Sequence, residues 1–198
     1  MKLLQKQGGP NGVERFIRGE LVAAPPTRAW REEDGVIYFS VTSDGAMGER
    51  WIRRFRAMGC GIGEHVEAVL RSQDFRSTCG VTAEIAVLRG GFISADDART
   101  TPNVRLWAAA RGFTNPNPEV ACLIREKFTD VEIEKMGLRY ILTMHEPIVY
   151  SKEDHPYLLA AHRVGIGGWL CAFYEPDDGW DRAAGFAFVA STGPAPKS

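Results

Sequence analysis

The stretch NPEVACLIREKFTDVEIEKMGLRYILTM, Asn117 to Met144, holds the change of pattern that decides the fold. Asn117-Pro118-Glu119 reads as a helix start. It offers a capping side chain, a proline where no N–H is needed, and a carboxylate at the positive end of the helix dipole. Val120, Leu123, Ile124 and Phe128 then recur at the spacing of one helix face. Thr129-Asp130-Val131-Glu132 matches a capping box and opens a short helix to Met136, with Gly137 as its left-handed stop. From Leu138 to Met144 the residues are those of a strand. The chain therefore changes from helical to extended texture at Gly137.

Towards the N-terminus, Val36 to Thr42 (VIYFSVT) reads as the first clear strand, bounded by Asp34-Gly35 and Ser43-Asp44-Gly45. A helix follows over Met47–Met58, in which Trp51, Ile52, Phe55 and Met58 make one apolar stripe before Gly59. Glu64–Ser72 is a second helix burying Val66, Val69 and Leu70. Val81–Leu88 reads as a strand, with helix as the alternative because of Ala83-Glu84-Ile85-Ala86; Gly90-Gly91 ends it either way. Val104–Ala110 is helical by composition. Beyond Gly137, further strands are expected at Tyr157–Val164, Trp169–Tyr174 and Gly185–Ala190. Short breaks such as Gly165-Ile166-Gly167-Gly168 favour antiparallel neighbours, whereas the early helices are long enough to allow parallel crossovers. The expectation is one α+β domain over residues 31–192: a mixed sheet, helices in the first two-thirds, and a C-terminal antiparallel meander. Residues 1–30 read as leader and linker, broken by Pro25-Pro26, with Val13–Ala24 a short helix or an edge strand. Residues 193–198 read as a tail.

Composition narrows the function classes. Of the 198 residues 44% are hydrophobic and 25% charged, the proportions of a folded globular chain, and the formal net charge is -1. No global field draws such a chain to nucleic acid or to an anionic membrane. The run Arg50, Arg53, Arg54 and Arg56 reads as the solvated face of an amphipathic helix rather than as a phosphate-binding surface. No apolar run approaches the roughly 18 residues of a membrane-spanning helix, and Met1–Gly12 lacks the apolar core of a secretory signal. Cys60, Cys79, Cys122 and Cys171 are scattered without C-x-x-C spacing, which points to free thiols and a cytoplasmic location. A homo-oligomer is compatible with all of this.

Chemistry-bearing residues concentrate at His145-Glu146-Pro147, Glu153-Asp154-His155 and His162. Neutral imidazole and carboxylate suit zinc, manganese or iron, and they also serve as base and acid. Antiparallel pairing of the two strands separates His145 from His162, leaving His145 with His155 as the closer pair. The plainer alternative makes His145 a hydrogen-bonded strand end and His155 a solvated loop residue. Ser43 and Asp44, at the carboxyl end of the first strand, offer either a ligand site or a helix cap. Gly59-Cys60-Gly61-Ile62-Gly63 follows a helix, so it lacks the context of a nucleotide loop and reads as a helix–helix corner. The late strands are aromatic, with Trp169, Cys171 and Phe173 on one face, and Trp180 sits in an acidic turn as an exposed anchor or folded over the sheet edge. Two functions follow. One is a binding module that takes a protein or small-molecule partner through the aromatic meander and Trp180. The other is a small hydrolase-type enzyme, assisted or not by a divalent metal, with His145 or His155 as base or ligand, Glu146 as ligand or acid/base, and Arg89 or Ser43 aiding substrate binding.

Overall fold

The structure is a computed structural model that describes residues 29–150, 155–164, 167–176 and 179–190. In chain order the strands are β1 (Arg31–Glu33), β2 (Val36–Asp44), β3 (Gly61–Ile62), β4 (Cys79–Arg89), β5 (Phe113–Thr114), β6 (Tyr140–Thr143), β7 (Leu158–His162), β8 (Trp169–Phe173) and β9 (Ala184–Ala190). The helices are α1 (Gly48–Ala57), α2 (Glu64–Arg71), α3 (Thr101–Ala109), α4 (Glu119–Lys127) and α5 (Asp130–Lys135). All nine strands join one mixed sheet, in the order β1-β2-β4-β9-β6-β7-β8-β3, with β5 also against β9. The α+β single-sheet architecture expected from the sequence is the one found. The readings of residues 1–28, of Glu153 and Asp154, of Gly165-Ile166 and of the tail fall outside the described residues.

Two connections differ from expectation. β2 and β4 are antiparallel, with Asp44 opposite Cys79, although two helices lie between them. Helices α1 and α2 run out and back as a pair, so β4 starts at the end where β2 stopped, and no parallel crossover is made. The C-terminal meander is also only partial. β6, β7 and β8 pair antiparallel in sequence. β9 then leaves the edge, inserts at the centre between β4 and β6, and runs parallel to β6. Its composition explains the choice: AGFAFVA is apolar on both faces, as a strand covered on both sides must be.

Strand alternation gives the sheet two cores. One face carries Ile37, Phe39, Val41, Ile85, Val87, Ile141 and Leu159, and it is covered by α1, α2, α4 and α5 through Trp51, Phe55, Val69, Ile124 and Ile133. Phe39 meets Phe128 edge-on at 4.7 Å, and Trp51 stacks on Phe55 at 5.5 Å. The capping box of α5 forms as read: Thr129 and Glu132 bond each other's backbone N–H groups. The opposite face carries Ala86, Leu88, Tyr140, Leu142, Leu158, Ala160, Phe186 and Phe188, and the helix packed on it is α3, through Val104 and Ala108. Among the described residues no helix is long and apolar enough to cross a membrane.

Helices α1 and α2 meet where Gly48 abuts the backbone of Leu70; a Cβ at Gly48 would run into the Leu70 carbonyl. Backbone cannot yield as a side-chain tip can. Gly48→Ala is expected to destabilise the fold by about 3 kcal/mol in urea titration, at the upper end of overpacking effects. Gly91→Ala, where the nearest atom is 3.8 Å away, should stay within about 0.5 kcal/mol. Equal midpoints for the two variants would contradict this helix contact.

Candidate functional site: an aromatic cavity under the β8–β9 strap

β8 and β9 point the same way, since each is related to β6 through the ladder. A parallel return normally takes a dozen or more residues and a helix. Here the chain from Tyr174 to Ala183 makes the return with no helix among its described residues, as a strap over the face that α3 only half covers. Space that a crossover helix would fill is left as a cavity of about 630 Å³. Tyr140, His162 and Phe173 line it from this face of the sheet, and Trp180 and Asp181 from the strap. At the other end it extends past the sheet to Tyr174, Tyr157 and His65 of α2, on the side of the first core.

The strap is held at both ends, by the start of α3 and by Arg99 just before it. The Thr101 N–H, at the helix start, donates to Glu175 Oε1 at 2.7 Å. The Trp180 N–H donates to the Arg99 carbonyl at 2.8 Å, while Arg99 Nε donates to the Trp180 carbonyl at 2.7 Å. Arg99 is buried and further bonds the Ile93 carbonyl and Asp96, so its charge is fully engaged. Trp180 Nε1 donates to Thr101 Oγ1 at 3.0 Å. Gly179 has φ +83° and lies so close to Asp96 that a Cβ would sit 2.9 Å from its carbonyl oxygen, so only glycine fits the approach of strap to helix.

Three rings converge on the sheet side. Tyr140 lies 5.5 Å from both His162 and Phe173, and His162 lies 5.8 Å from Phe173. Burial pushes the Tyr140 phenol up to about 12 and holds the His162 imidazole below its ordinary value, so both are neutral near pH 7. At the mouth Arg139 pairs with Asp181 at 3.4 Å. At the other end His65 stacks on Tyr157 at 5.4 Å and bonds the Tyr150 hydroxyl.

Of the seven residues given a catalytic or binding role from the sequence, Trp180 alone lines this cavity; His162, from the same sequence cluster of histidines and carboxylates, lines it as well. Trp180 is 3% exposed, so it is a buried wall and not an exposed anchor. His145 is fully buried, and both its nitrogens are engaged: Nδ1 donates to the Glu146 carbonyl at 2.6 Å and Nε2 accepts the Leu159 N–H at 3.0 Å. That is the hydrogen-bonded strand end of the plainer reading. Glu146 is exposed and accepts from Asn115 at 2.8 Å, while His155 is exposed and stacks on Tyr174 at 5.3 Å. Among the described residues no three His, Cys, Asp or Glu side chains are grouped to hold a metal ion. Ser43 ties β2 to β4, accepting the Val81 N–H at 3.2 Å and the Thr78 hydroxyl at 2.8 Å beside buried Glu119. Asp44 accepts the Ala46 N–H at 3.1 Å and pairs with Arg54, which holds its carboxyl below the usual range. Arg89 pairs with Glu32 at 2.8 Å.

Tyr140 carries no site assignment from the sequence, and Phe173 enters only as one of the aromatic residues of the late strands. A signal existed, because period-two alternation in LRYILTM, LLAAH and WLCAF puts Tyr140, His162 and Phe173 on one face once the strands are paired. No protein family, curated protein or solved structure matches the chain.

His145 gives the fold a pH dependence. Burial pushes its pKa from 6.5 down to about 4. As pH falls through that interval the unfolded chain takes up a proton that the folded chain refuses, which favours unfolding. Stability should thus be complete above pH 6.5 and decline by about 3 kcal/mol towards pH 4. His145→Ala should lower stability at neutral pH by roughly 2–3 kcal/mol and flatten the slope in that window. Urea titrations across the range measure both, and an unchanged slope would rule the assignment out.

Proposed function

We propose that the protein is a binding module for a small, largely apolar molecule, held in the cavity between the β6–β7–β8 face and the strap that leads into β9. The observation that carries this is an aromatic-lined space of about 630 Å³, in which the rings of Tyr140, Tyr157, Phe173, Tyr174 and Trp180 stand beside two imidazoles and the Arg139–Asp181 pair. That volume falls within the roughly 300–1,000 Å³ of ligand sites, which are mostly apolar with a small number of orienting groups. A fold seeking only stability gains from filling such a space, since each uncovered ring forfeits dispersion contacts. The strap supports the same reading, because its buried arginine, capped helix start and tryptophan hydrogen bond keep the wall in place without a ligand. Preorganisation of this sort lowers the entropy lost on binding. Among the described residues that line it, the His162 imidazole and the Tyr140 phenol stay neutral near pH 7, and the Asp181 carboxylate bonds the Ala183 N–H and Arg139.

Indole serves as the probe. Titrated into isotope-labelled protein, it is expected to bind at on the order of 0.1–1 mM, as for a fragment of its size. Shifts should concentrate on Tyr140, His162, Phe173 and Trp180. Phe173→Ala should weaken binding roughly tenfold, while Phe92→Ala, at an exposed position outside the cavity, leaves it unchanged. Scattered shifts, or none at saturating indole, would defeat the proposal.

A further inference from the structure

The polar groups of the cavity are not equally available to a guest. Trp180 Nε1 is committed to Thr101 Oγ1. Asp181 Oδ1 accepts the Ala183 N–H at 2.8 Å and Oδ2 faces Arg139, so that cation and anion answer each other at the mouth. His65 Nδ1 is bonded to Tyr150, and the Tyr140 phenol interacts with the Asp181 backbone. At the end enclosed by Tyr140, Trp180 and Asp181 this leaves His162.

His162 is 8% exposed, lines the cavity, and has its Nδ1 buried with no hydrogen-bond partner among the described residues. A buried N–H without an acceptor is more costly than a bare aromatic lone pair, because orphaned donors lose a full hydrogen bond to water. Nδ1 therefore carries the lone pair, and the proton sits on Nε2, the ring nitrogen that reaches the cavity. The imidazole is neutral near pH 7, since burial and then Arg139 hold its pKa down. It presents one uncharged N–H donor next to two aromatic rings.

The remaining lining fixes the shape of the guest. Tyr140 and Phe173 flank His162 with interplanar angles of 30° and 68°, and Tyr157 meets Tyr174 edge-on at 86°. These rings offer faces and edges to a flat π-system. A sugar would need many convergent donors and acceptors, and at the His162 end those of Trp180, Asp181 and Tyr140 are already engaged. The two charged groups at the mouth, Arg139 and Asp181, face each other at 3.4 Å, which favours an uncharged guest. We infer that the ligand is a flat, uncharged aromatic or heteroaromatic ring bearing a hydrogen-bond acceptor, which His162 Nε2–H recognises. This rests on the cavity being a binding site.

Quinoline and indole have nearly the same outline, but near neutral pH quinoline offers an acceptor nitrogen and indole a donor. Quinoline is expected to bind the full chain roughly tenfold more tightly than indole. His162→Phe should abolish that preference while changing indole affinity by less than roughly threefold. Methyl glucoside should not bind. In the unsubstituted protein, long-range nitrogen–proton spectra should show the Nε2–H tautomer of His162, a readout that needs no variant to fold. Indole binding in the cavity as tightly as quinoline, or an Nδ1–H tautomer, overturns the acceptor assignment and leaves the binding role standing. If neither probe reaches the cavity, both fall.

Discussion

Everything in this molecule hangs on the backbone ladder of β9. The last described strand in sequence is the central one in space, bonded antiparallel to β4 and parallel to β6. Without it the sheet falls into two pieces, β1-β2-β4 on one side and β6-β7-β8-β3 on the other. The insertion is tight on the side chains as well. Gly185 lies between Val87 and Leu138, where a Cβ would come within 2.7 Å of each. Both cores include β9 residues, Ala187 on one face and Phe186 and Phe188 on the other, so neither core closes before β9 arrives. Pairings this distant in sequence carry a loop-closure entropy that local helix contacts do not.

The same constraint creates the cavity. To travel from β8, next to the edge strand β3, to the centre, the chain must cross β7 and β6, and it does so as the strap. Helices are shared unequally between the two faces, with four on one and α3 on the other. The strap and α3 together cover the second face, yet a single strand of irregular chain has too little volume to seal it. Irregular backbone also brings polar groups that need partners. Arg99, Thr101 and Glu175 supply them, so that satisfying the strap's hydrogen bonds also fixes the wall of the space beneath it.

Local signals were legible in the sequence and distant ones were not. The Asn117 and Thr129 starts and the Gly137 stop correspond to α4, α5 and the entry to β6, because capping and φ > 0 are decided within a few residues. Gly59, too, has φ +70° at the end of α1. β3, by contrast, is two residues long and exists only because β8 lies beside it, under a Trp169 ring that would meet any Cβ at Gly61. The antiparallel sense of β2 and β4 depends on the α1–α2 pair turning the chain back, which no periodicity records. For the site, aromatic enrichment of the late strands pointed to the right region. The acidic residues around Trp180 obscured its burial, since Asp181 is occupied by Ala183 and Arg139 and the ring turns inward to Thr101.

His145 and His162 show why residue type alone misdirects. Both lie at strand ends, both are at least nine-tenths buried, and burial depresses the pKa of each. At His145 the neighbouring backbone supplies a donor and an acceptor in the right places, and the ring becomes a clasp between β6 and β7. At His162 no described residue partners Nδ1, and the strap keeps a cavity on the other side of the ring. Counting histidines and carboxylates along the chain ranks the first above the second. Accounting for each nitrogen's partner reverses the order, because a satisfied imidazole has already spent its directional capacity on the fold. An imidazole with one nitrogen unmet beside a cavity keeps its other N–H for a guest.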